Sequence, residues 1–177
     1  MFDKVQLEKQ LAQLPLFQYA FFPSDTLVFS ERVRHICKSE CPMYGKSWAC
    51  PPAVGSVDSC KSVCLSYPEL LLLSTVTEVA DIEDLSETLG TRKEHEEVTA
   101  QVADLLKAQG CDVRVLSTEA CAICENCTYP QAPCRHPDRM FPCVESQGIL
   151  VTDLAERCGM EFFNGNIVTW FSVILYR

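Results

Sequence analysis

Several signals of common activities are missing from this 177-residue chain. Basic charge is scarce, with 15 Lys+Arg against 24 Asp+Glu and a formal net charge of −9. There is no long Lys/Arg run, so the electrostatic footprint of a nucleic-acid or anionic-membrane binder is lacking. The largest charged stretch, Arg92-Lys93-Glu94-His95-Glu96-Glu97, mixes signs and reads as a solvated helix face with His95 exposed. Long apolar runs are lacking too. Leu70–Leu73 and Ile167–Tyr176 are the longest, and both suit buried strands rather than a membrane span of about 18 residues. The opening Met1-Phe2-Asp3-Lys4-Val5 has no apolar core of the secretory type, so a cytoplasmic location is expected. No glycine-rich phosphate loop, His-Glu-x-x-His or nucleophile-elbow motif is present.

What remains is a globular composition, 47% hydrophobic and 22% charged, fitting one domain over residues 1–177. A chain of this size builds its own core without cross-links. Its twelve cysteines therefore call for a chemical explanation. In a reducing compartment, clustered cysteines more often bind metal or react than form disulfides.

Coarse periodicity predicts a short amphipathic helix over residues 4–14 and a short strand over Thr26–Ser30. Residues 31–56 read as an ordered loop. A helix is expected over Val57–Ser66, stopped before Pro68, then a buried strand over Glu69–Thr77. Ile82–Gly110 reads as helical with a break at Gly90. Asp112–Ser117 reads as a strand, residues 118–143 as a second cysteine-rich loop, and residues 144–158 as holding a short helix or two. Ile167–Tyr176 has bulk on both faces and should run inside the sheet. The expected fold is α/β or α+β: about four strands, packed helices, and cysteine-rich loops at 31–64 and 118–143.

The sharper constellation is Cys121-x-x-Cys124-x-x-Cys127, with Cys134 seven residues later. Three cysteines at steps of three can wrap a loop around one corner of a 4Fe–4S cluster, as in ferredoxins. Zinc more often joins two separate Cys-x-x-Cys knuckles, and stays as the alternative metal. The other loop carries Cys37, Cys41-Pro42 and Cys50-Pro51-Pro52, then Cys60 and Cys64. Proline holds the preceding residue extended and removes a competing donor, which suits a side chain aimed at a metal. Cys60 is the expected fourth ligand, and Cys64 reads equally as a core thiol. A crossed arrangement stays open, in which Cys134 or Cys143 serves the first loop's cluster. Cys111, Cys143 and Cys158 read as small buried hydrophobes, Cys143 being the best extra candidate. His35 and His136 read as hydrogen-bonding neighbours of the sites. Arg32, Arg34, Lys46 and Arg135 could offset an anionic cluster. Glu145 follows the second loop and could be a site carboxylate, with a helix-surface glutamate as the first expectation.

The pattern Cys37-x3-Cys41-Pro-x-Tyr44-Gly45-x4-Cys50-Pro51-Pro52, with Tyr67 and a leucine strand, is joined by Cys121-x2-Cys124-x2-Cys127-x6-Cys134-Arg135-His136-Pro137. Together they resemble domain of unknown function 2284, a family of predicted metal-binding proteins, over about residues 32–176. The resemblance implies iron–sulfur binding and an anaerobic setting, and it implies that Cys64 and Cys143 are not primary ligands. It gives no reaction.

The leading expectation is a cytosolic iron–sulfur protein with one or two 4Fe–4S clusters that moves electrons to a redox partner protein. Cys121, Cys124, Cys127 and Cys134 would hold one cluster, and Cys37, Cys41, Cys50 and Cys60 a second. The rivals are an iron–sulfur enzyme or accessory protein with an open iron for a small substrate, and a zinc-stabilised interaction module.

Overall fold

The computed structural model describes residues 2–177. Its helices are α1 (Lys4–Leu11), α2 (Glu31–Glu40), α3 (Val57–Cys64), α4 (Leu85–Gly90), α5 (Arg92–Ala108) and α6 (Val151–Arg157). Its strands are β1 (Gln18–Pro23), β2 (Glu69–Glu78), β3 (Val113–Leu116) and β4 (Ile167–Tyr176). They form one sheet in the order β1-β2-β4-β3, and every pairing is antiparallel. The fold is therefore α+β, the second of the two expected classes.

β2 and β4 are buried on both faces because helices or loops cover both sides of the sheet. Leu71, Leu73, Ile174 and Val115 meet Leu7 and Leu11 of α1 and Val102 and Leu106 of α5. Leu70, Leu72, Val173 and Leu175 face the other way, onto Cys64, Ile149 and Leu154. The period-2 alternation of strand side chains makes this split. Burying each such leucine contributes roughly 2 kcal/mol. α3 and α6 lie on this second side through Cys64 and Leu154, while Phe141 of the second cysteine-rich segment packs on the first.

The helix over 4–14, the helix starting at Val57, the strands at 69, 113 and 167, and the helical stretch broken after Gly90 all form as expected. Two elements differ. The first strand is Gln18–Pro23, not Thr26–Ser30. Residues Ser24–Thr26 form a 3-10 turn, and Phe29 makes only an isolated bridge to Ile149. β1 is an edge strand whose residues are partly exposed on both faces, so Tyr19-Ala20-Phe21-Phe22 shows no alternation to read. Residues 31–40 are helical, not loop. The Ser30 hydroxyl accepts from the Arg32 N–H at the N-cap, and Cys41 before Pro42 ends the helix in an extended conformation. α2 buries only Val33, which leaves almost no apolar stripe.

The charged stretch at the start of α5 is not a solvated face. Arg92 and His95 are buried. Arg92 pairs with Glu96 at 2.6 Å and donates to the Thr118 carbonyl at 3.1 Å. His95 Nδ1 lies 2.8 Å from Thr75 Oγ1, and Nε2 lies 2.8 Å from Ser172 Oγ. Thr99 and Ser117 extend this chain of hydroxyls through Ser172. A neutral imidazole that accepts at Nδ1 and donates at Nε2 satisfies the network, and burial lowers its pKa to about 4.

Candidate metal centre

The second loop leaves β3 at Ser117 and is tied to α5 by the Arg92–Thr118 bond. Inside it, the Thr128 hydroxyl donates to the Pro133 carbonyl at 2.8 Å, and Arg135 donates to the Asn126 carbonyl at 3.1 Å. These bonds fold residues 126–135 back on themselves. As a result Cys121, Cys124, Cys127 and Cys134 line one recess, together with Ser47 and Trp48 of the first loop.

The thiols differ in their surroundings. Burial raises Cys121, helped by the charges of Glu96 and Cys134 and opposed by the Ile123 N–H and Arg92. Burial also pushes Cys127 upward, but there the Tyr129, Trp48 and Thr128 N–H groups and the Ser47 hydroxyl win and hold it below the ordinary thiol value. Donors aimed at a sulfur favour thiolate and stabilise a metal-bound one. The His136 backbone N–H lies 3.4 Å from Cys134 Sγ, so His136 meets this site through its backbone.

The first group is mounted differently. Cys37 lies in the last turn of α2 and Cys41 caps it. Cys50 is buried behind Ser47 and Ala49, and its N–H closes a turn onto the Ser47 carbonyl at 3.2 Å. Burial, then the Cys41 and Cys37 charges, push Cys50 to about 12. Burial, Cys41 and Glu145 raise Cys37 against the Arg34 guanidinium. Cys37, Cys41 and Cys50 thus gather at one place. Cys60 has other contacts: its Sγ lies 3.3 Å from the Val54 carbonyl and 3.7 Å from Arg34 Nη2. Cys64, one turn further along α3, is fully buried in the core, where burial raises it to about 11 against Arg114.

The two loops share a seam. Trp48 Nε1–H donates to the Ala132 carbonyl at 3.1 Å, and its ring stands edge-on to Tyr129 at 4.9 Å. The Cys143 N–H reaches the Ala49 carbonyl at 3.4 Å, and Cys121 is close enough to Cys50 to raise it. Sequence order separates the loops by more than fifty residues, and no local spacing signals that they touch.

Sequence reading also passed over one pair. Cys143 Sγ–H donates to Glu145 Oε2 at 2.8 Å, and burial raises both groups. Glu145 is not the surface glutamate expected: it is only partly accessible and sits beside Cys37. Cys111 and Cys158 pack against the two core clusters on opposite sides of the sheet.

All twelve cysteines are free thiols. Among the described residues, no three His, Cys, Asp or Glu side chains converge as a single bound ion would need. The donor set is thiol-rich, backbone N–H groups face one sulfur, and cationic Arg34 stands beside another. That chemistry suits an anionic iron–sulfur cluster. No helix among the described residues is long and apolar enough to cross a membrane.

No curated protein and no solved structure matches the chain. A family model does match, over residues 20–176, which takes in both cysteine loops and the whole sheet except the first two residues of β1. The chain belongs to that family, DUF2284, described as predicted metal-binding protein.

Proposed function

We propose that the protein is an iron–sulfur electron carrier with two adjacent centres. The observation that carries this reading is the recess lined by Cys121, Cys124, Cys127 and Cys134, with N–H donors trained on Cys127. These four would hold one 4Fe–4S cluster. Cys37, Cys41 and Cys50 would supply thiolates to the second. Each cluster, when bound, can take up and release one electron. The protein's part is to hold thiolates, exclude water from Cys50, and place the two centres on either side of the Ser47–Cys50 segment. The net charge of −9 suits a basic docking surface on a redox partner protein. The expected setting is the cytoplasm.

Cys124→Ser and Cys41→Ser test the assignment separately. Each should remove about half of the iron from anaerobically purified protein. Unchanged iron in either variant contradicts that centre.

One observation favours a second reading. An open groove beside α2 is lined by Arg32, Arg34, His35, Lys38 and Tyr44, with Glu31 as its one carboxylate, and it shares Arg34 with the first cysteine group. Such a groove would admit a small anion to an incompletely thiolate-ligated iron, making the protein an enzyme or accessory. A change in the visible spectrum on adding small carboxylates or phosphate would support that reading over a pure carrier. A zinc-stabilised module predicts colourless protein with stoichiometric zinc and no sulfide.

A further inference from the structure

We infer that Glu145 completes the first centre as an oxygen ligand beside Cys37, Cys41 and Cys50, with Cys143 steadying its carboxylate and Cys60 standing outside. This rests on the metal-centre reading above.

Position comes first. Glu145 opens a 3-10 turn, Glu145–Gln147, that packs on α2. Its backbone carbonyl lies 3.9 Å from Cys37 Sγ, and its carboxylate is close enough for its charge to act on that thiol. Charge comes second. Among the described residues, none of the ion pairs involves Glu145, and its carboxylate has the Cys143 thiol as its hydrogen-bond donor at 2.8 Å. A largely enclosed carboxylate with a neutral partner is costly, and a bound cation removes the cost.

Rigidity comes third. Arg34 donates to the Ser146 carbonyl at 2.5 Å and the Gly55 carbonyl at 2.6 Å, tying the turn to α2 and to the start of α3. The Ser146 hydroxyl donates back to the Cys143 carbonyl at 2.5 Å. Gly148 leaves the turn at φ +86°, where an added Cβ would stand 3.0 Å from Val57 Cγ1. The carboxylate is thus held by its surroundings, as a ligand must be. Cys60, by contrast, has the Val54 carbonyl and Arg34 as its neighbours. The charges that act on Cys37 come from Cys41, Glu145 and Arg34, and those on Cys50 from Cys41, Cys37 and Cys121.

The test uses the full chain, purified without oxygen, and reads iron, acid-labile sulfide and the electron paramagnetic resonance of the reduced protein. Glu145→Gln should lose about half of the iron, as Cys41→Ser does. Glu145→Cys should keep the iron and shift the signal of one centre, because a thiolate replaces an oxygen donor. Cys60→Ser should keep both iron and signal. Full iron with an unchanged signal in Glu145→Gln, or loss of iron in a folded Cys60→Ser, overturns the inference. If Glu145→Gln does not fold, Glu145→Cys and Cys60→Ser decide alone: an unshifted signal in the first or iron loss in the second overturns it. Wild-type protein without sulfide defeats the metal-centre reading itself. Loaded wild type with a fully loaded Glu145→Gln defeats only the role of Glu145.

Discussion

The two cysteine groups hold their thiols by opposite means. The first is built on regular structure: α2 carries Cys37 and Cys41, and Cys50 is sunk behind Ser47 and Ala49. Burial and neighbouring charge raise Cys37 and Cys50, which favours their neutral thiols until a cation arrives. The second is built on an irregular loop, where backbone N–H groups turned inward hold Cys127 below the ordinary thiol value. A sulfur can therefore be readied for metal by donors, as Cys127 is, or left dependent on the metal's own charge, as Cys50 is. The first centre should then be the harder to load and the more sensitive to its neighbours.

The largest expected effect concerns thiol reactivity in metal-free protein. At pH 8, iodoacetamide should label Cys127 at least about 100-fold faster than Cys50, because only thiolate reacts and Cys50 titrates near 12. Mass spectrometry of the time course reads both sites, and equal rates break the comparison.

Acid should next separate the two anchorages. The second loop starts at Ser117 and Thr118, tied to α5 through the His95–Ser172 hydroxyl chain and Arg92. Folding lowers His95 to about 4 from its ordinary 6.5. The unfolded chain binds the extra proton between those values, so stability is full above pH 6.5 and falls as pH drops towards 4. The loss should approach roughly 3 kcal/mol at the acid end. Urea titrations of metal-free protein across this range should show the slope, and His95→Gln should flatten it.

Gly148→Ala tests the first group. Its left-handed φ and the contact with Val57 should cost about 2 kcal/mol and loosen the Glu145 turn. Iron should fall in the first centre while the Cys124-dependent centre stays loaded. Smallest of all, Cys111→Ser and Cys158→Ser should keep full iron and cost about 1 kcal/mol or less, since both are partly buried at the margins of the core. Iron loss in either would redraw the boundary of the site.

Legibility followed burial. β2, β4 and α5 bury continuous or periodic apolar faces, and their sequences show it. β1 and α2 do not: one is a two-sided edge strand, the other a helix with one buried residue, so pattern alone missed them. That Cys121, Cys124, Cys127 and Cys134 share one recess was readable because they are close in sequence. The first group was readable as a set of cysteines but not as a geometry, because the surroundings of Cys37 depend on where residues 143–147 land. His95 and Arg92 looked solvated because a charged stretch hides a buried side when that side is polar and satisfied by hydroxyls and a carboxylate.

The central claim is that the thiols on the two sides of the Ser47–Cys50 seam hold two iron–sulfur clusters. Iron and acid-labile sulfide in protein purified without oxygen, with a visible spectrum alongside, test it most directly. About eight of each per chain, in brown protein that bleaches on reduction, is the predicted result. Stoichiometric zinc in colourless protein without sulfide would contradict it.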